Sequence, residues 1–119
     1  MAAAGASPSV IGATMRRLRQ LHYLDDARVA QEAAAAAQRH GRGSKRVRAE
    51  LIAKGVAEGL IDAVLAETFA AEADLARAAL RRRYPSAPQG AREKARAAGF
   101  LLRQGFPESV VSDVLGDDF

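Results

Sequence analysis

The sequence of residues 40–56, HGRGSKRVRAELIAKGV, combines the chain's densest positive charge with its clearest helix signals. A glycine-bracketed turn at 41–43 precedes a helix that we expect to begin with Ser44 as its N-cap. Gly55 predicts a left-handed residue at the end of this helix, and the apolar Val56 is the kind of side chain that packs against such a stop. The stretch therefore predicts a helix that is closed by a glycine–apolar turn.

The same turn recurs fifty residues later in the chain. The segment LIAKGVAEGLIDAVL (51–65) aligns with LLRQGFPESVVSDVL (101–115), and every apolar position of the short second helix is kept. A weaker copy, RQLHYLDD, lies at 19–26 with His22 in the place of the glycine. Helical units that repeat in this way are typical of arrays in which each unit buries its apolar face on the next. We therefore predict an all-α fold of tandem three-helix repeats that form an elongated, curved helical array.

Helix start and stop signals divide the chain further. Ser7 and Pro8 favour a helix start. A break is predicted at residues 22–23, after which Asp25 and Asp26 favour a new start because carboxylates stabilise a helix N-terminus. The predicted helices cover residues 9–21, 24–39, 44–54, 57–67, 70–84, 91–104 and a last stretch from 107. The predicted domains are a flexible N-terminal tail (1–8), an incomplete first helical repeat (9–40), a second three-helix repeat (41–84), a linker (85–90) and a third helical repeat (91–119).

Charge is arranged along the chain in alternating blocks. The net charge is +4 and the pI is about 10.1, but residues 16–48 carry +6 and residues 77–103 carry +7, whereas residues 50–74 carry −5. Basic blocks of this kind suit an anionic partner. The chain has no cysteine, which excludes disulfides and thiolate metal sites and suits a reducing cytoplasm. No apolar run reaches the roughly eighteen residues of a membrane span.

A cluster of basic side chains is the strongest functional signal. Lys45, Arg46 and Arg48 occupy the first turn and a half of their predicted helix, where the helix dipole disfavours cations. Local helix physics gives no reason for these charges, so we interpret them as contacts to a partner. Arg42 extends the cluster on its N-terminal side. These four residues are candidate partner-binding residues.

A second basic cluster consists of Arg81, Arg82 and Arg83. It lies at the C-terminal end of a predicted helix, where cations also stabilise the helix dipole. A structural role and a partner-binding role are therefore both open for these three arginines, and we retain them as candidate partner-binding residues.

No catalytic, metal or cofactor site is predicted. His22 and His40 lie at predicted helix ends without metal-ligand spacing, and helix capping explains Asp25 and Asp26 better than a metal pair does. The turn at 41–43 lacks the length and the Gly-Lys-Ser/Thr ending of a phosphate-binding loop. We therefore expect a protein that is not an enzyme and that needs no cofactor.

The pair of short helices around the glycine turn has the outline of a DNA-reading helix-turn-helix. Its second helix would enter the major groove, yet it carries Glu58, Asp62 and Glu67 and no basic residue. The last helix has the same defect, with Glu108 and Asp113. Reading of the DNA bases by these helices is therefore not favoured.

Four motifs occur in order along the chain. They are YLDDARVAQ (23–31), GRGSKRVRAELIAKGVAEGLIDAVL (41–65), RRRY (81–84) and KARAAGFLLRQGFPESVVSDVL (94–115). Together they closely resemble the RecX family of bacterial regulators of the recombinase RecA, over about residues 18–119. The tandem three-helix repeats of that family agree with the repeat found from the residues. The resemblance marks as structural the motif residues Asp25, Asp26, Gly41, Gly43, Leu51, Gly55, Gly105 and Phe106.

The resemblance implies a regulatory protein that binds the RecA filament on single-stranded DNA. It implies inhibition of filament growth, ATP hydrolysis, strand exchange and co-protease activity. The expected partners are RecA and its filament, with the DNA phosphate backbone as a further contact, and we expect a cytoplasmic monomer without membrane contact. Two alternatives stay open, a basic helical module that binds nucleic acid directly and a helical scaffold for another protein partner.

Overall fold

The computed structural model describes residues 8–116, and six α-helices and no strand occur in that range. The helices are α1 (Pro8–His40), α2 (Ser44–Ala53), α3 (Glu58–Thr68), α4 (Glu72–Arg83), α5 (Gly90–Gln104) and α6 (Glu108–Leu115). The Cα radius of gyration is 20.8 Å and the extents are 77 × 21 × 19 Å. A compact chain of this length would have a radius of roughly 14 Å. The predicted all-α, elongated architecture is confirmed. The predicted tail lies outside the described residues except for Pro8, which belongs to α1.

The helices pack as two units, each around its own small core. In unit 1, α1 to α3 enclose a core built mainly from alanines of α1 and from aliphatic residues of α2 and α3: Ala30, Ala34, Ala37, Val47, Leu51, Val56, Ile61, Val64, Leu65 and Phe69. In unit 2, α4 to α6 enclose Ala76, Ala79, Leu80, Ala97, Ala98, Leu101, Phe106, Val111 and Leu115. Leu75 packs against both cores. The packing therefore places α1 in one unit with α2 and α3. The predicted second repeat, residues 41–84, instead combines α2 and α3 with α4, and this division into repeats stays a prediction.

The first helix is longer than the sequence predicts. The predicted break at residues 22–23 is wrong, because α1 runs without interruption from Pro8 to His40. Neither Pro nor Gly occurs at that position, so nothing forces the backbone out of the helix. Asp25 and Asp26 are interior residues of α1 and cap no helix. Instead, Asp26 pairs with His22 and Asp25 with Arg28 along the helix surface.

The alanine run of α1 allows the close helix packing of unit 1. Ala30, Ala34 and Ala37 are at most 2% exposed, and their spacing of four and three residues places them on one face of the helix. This face packs against α3. The small alanine side chains therefore let α1 pack closely on α3, so that unit 1 has a thin core of alanines and aliphatic residues.

The glycine–apolar turns close α2 and α5 in the same way. Gly55 has a φ of +78° and Gly105 a φ of +99°, the left-handed conformation that the sequence predicts. The N–H of Val56 donates to the carbonyl oxygen of Leu51 at 3.1 Å, and the equivalent bond from Phe106 to Leu101 is also 3.1 Å. These bonds satisfy helix carbonyls that otherwise have no partner. The fifty-residue repeat is thus a repeat of backbone geometry as well as of sequence.

The N-terminal part of α1 extends beyond the core of unit 1 and exposes apolar side chains. Seven large apolar residues are 42–58% exposed: Val10, Ile11, Met15, Leu18, Leu21, Tyr23 and Leu24. Leu60 and Ile61 of α3 stand fifty residues after Val10 and Ile11, and Ile61 is 1% exposed. This part of α1 therefore carries an apolar pattern similar to that of α3, but its apolar side chains are exposed. No helix within residues 8–116 is long and apolar enough to cross a membrane.

Candidate interaction site at the joint between the units

The two units meet where the N-terminus of α2 faces the C-terminus of α5. The backbone N–H of Gly43 donates to the carbonyl oxygen of Gln104 at 2.8 Å. The N–H of Lys45 donates to the carbonyl oxygen of Gly105 at 2.9 Å. The first N–H groups and the last carbonyls of a helix have no partner inside that helix. Each helix end therefore satisfies the other, and we call this contact the joint.

Glu72, in the first turn of α4, completes the joint. Its carboxylate accepts a hydrogen bond from the N–H of Ser44 at 2.7 Å and another from the Ser44 hydroxyl at 2.9 Å. The prediction that Ser44 is the N-cap is wrong, because Gly43 is the N-cap and Ser44 is the first helical residue. The N-cap makes no side-chain hydrogen bond of its own. A carboxylate from the neighbouring unit therefore caps α2, and a charged acceptor makes this cap strong.

Two glycines allow the backbones of the two units to approach this closely. A methyl group on Gly43 would overlap the carbonyl group of Gly105, and one on Gly105 would lie 2.5 Å from the Cβ of Arg46. Gly43 has a φ of −96°, which any residue can adopt. The position of Gly43 therefore requires glycine for space alone, whereas that of Gly105 requires it for both space and conformation.

The C-terminus of α1 is also bound by unit 2. The Arg82 guanidinium donates to the carbonyl oxygen of Arg39 at 3.1 Å, and the Gln104 amide donates to the carbonyl oxygen of Gly41 at 3.3 Å. A cleft of about 360 Å³ opens beside these bonds, which we call the joint cleft. Its lining residues are Arg39, His40, Gly41, Ala79, Arg82, Arg83, Phe100 and Gln104. None of these described lining residues is acidic, so the joint cleft is a basic site.

The joint changes the physical explanation of the charges in α2. The first turn of α2, which carries Lys45 and Arg46, faces the C-terminal carbonyls of α5 and the carboxylate of Glu72, and both of these provide negative potential. Arg48 forms an ion pair with Asp62 at 2.8 Å. The electrostatics of α2 alone therefore do not decide the role of these cations, because the neighbouring unit places negative potential at this helix end. The argument from the helix dipole alone no longer assigns these residues to a partner.

The structure brings only some of the predicted basic residues together. Arg82 and Arg83 lie in the joint cleft, whereas Arg81 lines a different cleft on α4. The Arg83 guanidinium lies 5.1 Å from the centre of the Tyr84 ring. Arg42 is half-buried, and its N–H closes the end of α1 by donating to the carbonyl oxygen of Ala37 at 2.9 Å. The exposed cations of α2 are Lys45 and Arg46.

Four residues of the site are not predicted from the sequence. Glu72 caps a helix from which it is 28 residues distant in the chain, and no local pattern indicates such a contact. In the sequence, Arg39 and His40 indicate only the basic last turn of a helix and not a contact with another unit. Gln104 is 63 residues away from its acceptor. The fifty-residue repeat is the one sequence signal that relates α2 to α5, because it makes them equivalent helices of two units. It does not indicate that the N-terminus of α2 contacts the C-terminus of α5.

The two units coincide with two known domains. A family model for the second three-helix domain of RecX matches residues 25–65, and a model for the third three-helix domain of RecX matches residues 70–115. These ranges follow the two cores of the structure and together cover well over half of the chain. The chain belongs to the RecX family. The joint is therefore the contact between the second and third RecX domains.

Curated relatives agree with this assignment. The regulatory protein RecX of Serratia proteamaculans is 31% identical over 111 residues, which is 92% of this chain and 66% of the relative. The RecX of Leptothrix cholodnii is 36% identical over 109 residues, or 91% of this chain and 68% of the relative. The RecX of Halorhodospira halophila is 34% identical over 107 residues, which is 89% of this chain and 66% of the relative. The chain thus spans about two thirds of the length of these RecX proteins.

Neither histidine belongs to a group of described side chains that could hold a metal ion. No group of three or more His, Cys, Asp or Glu side chains comes together within the described residues. His22 pairs with Asp26 at 3.3 Å on the exposed surface of α1. His40 lies in the joint cleft beside arginines. The relatives carry the name regulatory protein RecX, and the joint cleft is one of the basic clefts in the described part of this chain.

Proposed function

We propose that this chain binds the RecA filament on single-stranded DNA and restrains its growth, ATP hydrolysis, strand exchange and co-protease activity. Membership of the RecX regulatory family is the observation that carries the proposal. The elongated shape supports it, because an array 77 Å long can contact several protomers of a filament at once. We further propose that the protein acts as a monomer in the cytoplasm and without catalysis.

The contact surface in this proposal is the basic face around the joint. It comprises the joint cleft together with Lys45 and Arg46, the exposed cations of α2. Cations on such a surface suit acidic protein side chains and DNA phosphates, and both are present on a nucleoprotein filament. Because the joint is hydrogen-bonded at both helix ends, it presents these cations on a fixed frame, which reduces the ordering cost of binding.

The test is a titration of the protein against three targets: single-stranded DNA alone, RecA alone and the nucleotide-bound RecA filament. Fluorescence anisotropy reports binding, and the ATPase rate of RecA is followed in parallel. Preferential binding to the filament together with a falling ATPase rate supports the proposal. Equal binding to bare DNA, with affinity that falls steeply as salt increases, would favour the nucleic-acid module instead. Binding to none of the three would favour a scaffold for another protein.

Charge reversal at the joint tests the contact surface. The double variant Lys45→Glu/Arg46→Glu should weaken filament binding by roughly tenfold or more, since each lost charge contact at a binding surface is worth about 1 kcal/mol. The matched control is Arg16→Glu/Arg17→Glu, which makes the same charge change at exposed positions of α1. An equal loss of affinity in both variants would show a net-charge effect and would refute the assignment to this surface.

A further inference from the structure

Two exposed apolar side chains occupy equivalent positions in the two units. Ile52 in α2 is 59% exposed and Leu102 in α5 is 42% exposed, and the two residues stand fifty positions apart, at the offset of the repeat. Among the described residues after Leu24, they are the two exposed large apolar side chains. A single exposed apolar residue needs no explanation, because such residues are common on protein surfaces. Two at the same place in a repeat indicate a surface that both units share.

The backbone holds these two side chains in the same way. Each follows a leucine that is 0% exposed, so each points about 100° around its helix away from a core residue. The carbonyl oxygen of Ile52 accepts the N–H of Gly55 at 3.0 Å. The carbonyl oxygen of Leu102 accepts the N–H of Gly105, also at 3.0 Å. Each unit therefore presents its exposed apolar side chain in the same position relative to its glycine–apolar turn.

The repeat of the fold does not by itself account for this match, because other exposed positions of the two helices differ. Lys45 in α2 corresponds to Ala95 in α5, so a charge is absent from the second unit. Ala53 corresponds to Arg103, so a charge is absent from the first. The cores require apolar residues at buried positions but not at exposed ones. The match at positions 52 and 102 is therefore independent of the packing within each unit.

An exposed arginine accompanies each of the two apolar side chains. Arg46 precedes Ile52 by six residues, and Arg96 precedes Leu102 by six, which is about 9 Å along a helix axis. Both arginines are exposed, and neither guanidinium makes a hydrogen bond, ion pair or ring contact within residues 8–116. We call Arg46 with Ile52, and Arg96 with Leu102, the repeated pairs. Each unit thus carries one apolar and one cationic side chain at the same spacing.

The chemistry of the repeated pairs suits a protein surface. An aliphatic side chain offers no aromatic face on which a base of a single-stranded nucleic acid could stack. A guanidinium is suited to a carboxylate, which it can bind with two parallel hydrogen bonds. The site that fits a repeated pair is therefore an apolar recess with an acidic side chain beside it.

The acidic residues of the two helices do not occupy these arginines. In α2 the one acidic residue is Glu50, which pairs with Lys54 at 3.1 Å. In α5 the one acidic residue is Glu93, which accepts the N–H of Gln89 at 3.2 Å. Both repeated pairs therefore have a charge that an acidic partner can match.

We propose that each repeated pair binds one protomer of the RecA filament, so that the two units contact two protomers through the same kind of site. Two equivalent contacts require two equivalent recesses, and a filament presents identical recesses at regular intervals. A second copy of this chain fits less well, because its own repeated pairs would bring like charges together. This contact rests on the filament binding proposed above and adds the residues that match the repeat of the chain to the repeat of the filament.

Substitution of the apolar side chains tests the contact by fluorescence anisotropy with the nucleotide-bound filament. Ile52→Ser and Leu102→Ser should each weaken binding roughly tenfold or more, and by similar factors, because the two contacts are equivalent. The double variant should lose roughly the product of the two factors, about a hundredfold or more. The control is Met15→Ser, which removes a side chain that is 46% exposed and lies outside the two units. Circular dichroism should show the same helicity in all variants, since every substituted position is exposed.

Wild-type affinity in either single variant would overturn the proposal, because one unit would then make no such contact. An equal loss in Met15→Ser would also overturn it, since any exposed apolar side chain would then have the same effect.

Substitution of the arginines tests the charged half of each repeated pair in the same assay. Arg46→Gln and Arg96→Gln should each weaken binding by about three- to tenfold. The control is Arg103→Gln, which removes an exposed charge from α5 that has no counterpart in α2. Equal losses in all three variants would show attraction between net charges and would overturn the assignment to the repeated pairs.

The wild-type titration separates the failure of this contact from the failure of the proposed function. If the wild type does not bind the filament, the proposed function fails, and the contact through the repeated pairs fails with it. If the wild type binds and Ile52→Ser/Leu102→Ser binds equally well, filament binding stands and the repeated pairs have no part in it.

Discussion

Substitution of Gly43 by alanine isolates the contribution of the joint to stability. The backbone of Gly43 is in a conformation that alanine adopts without strain, with φ −96° and ψ 174°. The added methyl group would overlap the carbonyl group of Gly105, so the two units must separate to accommodate it. The cost therefore comes from the contact between units and not from the local backbone.

The magnitude follows from the hydrogen bonds that separation breaks. The bonds counted are those made by Gln104 and Gly105, against which the methyl group presses: Gly43 N–H to Gln104 O, Lys45 N–H to Gly105 O and the Gln104 amide to Gly41 O. At about 0.5–1.5 kcal/mol each, their loss should destabilise the protein by about 2–4 kcal/mol. Both cores would remain intact, so unfolding should also become less cooperative, as expected for an array that has lost an interface between neighbours.

Urea unfolding followed by circular dichroism measures this change. In Gly43→Ala the midpoint should fall and the slope of the transition should decrease, because the units unfold separately and each exposes less surface. Small-angle scattering should give a radius of gyration different from 20.8 Å. The control is Gly59→Ala in α3, where no atom lies within 4 Å of the added methyl group and alanine should stabilise by about 1 kcal/mol. A Gly43→Ala protein that unfolds like the wild type would refute the reasoning.

Three further substitutions test other parts of the structure by the same unfolding assay. Gly55→Ala should cost about 1–2 kcal/mol through its positive φ alone, because nothing lies within 4 Å of the added methyl group; no loss would contradict a left-handed turn. Glu72→Gln should cost about 1–2 kcal/mol by replacing the charged cap of α2 with a neutral one, and Glu67→Gln at an exposed position of α3 should cost nothing measurable. Leu51→Ala, in the core at 0% exposure, should cost about 2–5 kcal/mol, while Ile52→Ala at 59% exposure should cost little, and equal effects would contradict the predicted helix face.

Those parts of the fold that depend on neighbouring residues could be predicted from the sequence. The turn at Gly55 and Val56 requires a left-handed residue and an apolar side chain, both of which are local properties, and the match to Gly105 and Phe106 revealed the repeat. The predicted helix break at residues 22–23 is wrong because Asp25 and Asp26 favour a helix start but do not require one, and no residue there stops a helix.

The candidate site was less predictable because its contacts join distant parts of the chain. The helix dipole disfavours Lys45 and Arg46 only if α2 is considered alone. Once Glu72 and the end of α5 are included, their negative potential at this helix end offsets that effect, while both side chains remain exposed. No pattern in the sequence contains that information, because Glu72 also fits the first turn of its own helix. An electrostatic argument from a single helix is therefore incomplete in a repeat protein.

The composition of the joint has a consequence for its temperature dependence. The joint consists of hydrogen bonds between polar groups, and Leu75 is the one partly buried apolar residue in the described range that packs against both cores. Exposure of apolar surface is what gives protein unfolding its large heat capacity. Opening of the joint should therefore have a heat capacity change close to zero, so that its free energy changes almost linearly with temperature and lacks the curvature that weakens apolar cores on cooling. The angle between the two units should stay fixed at low temperatures, at which the apolar cores of the units themselves begin to weaken.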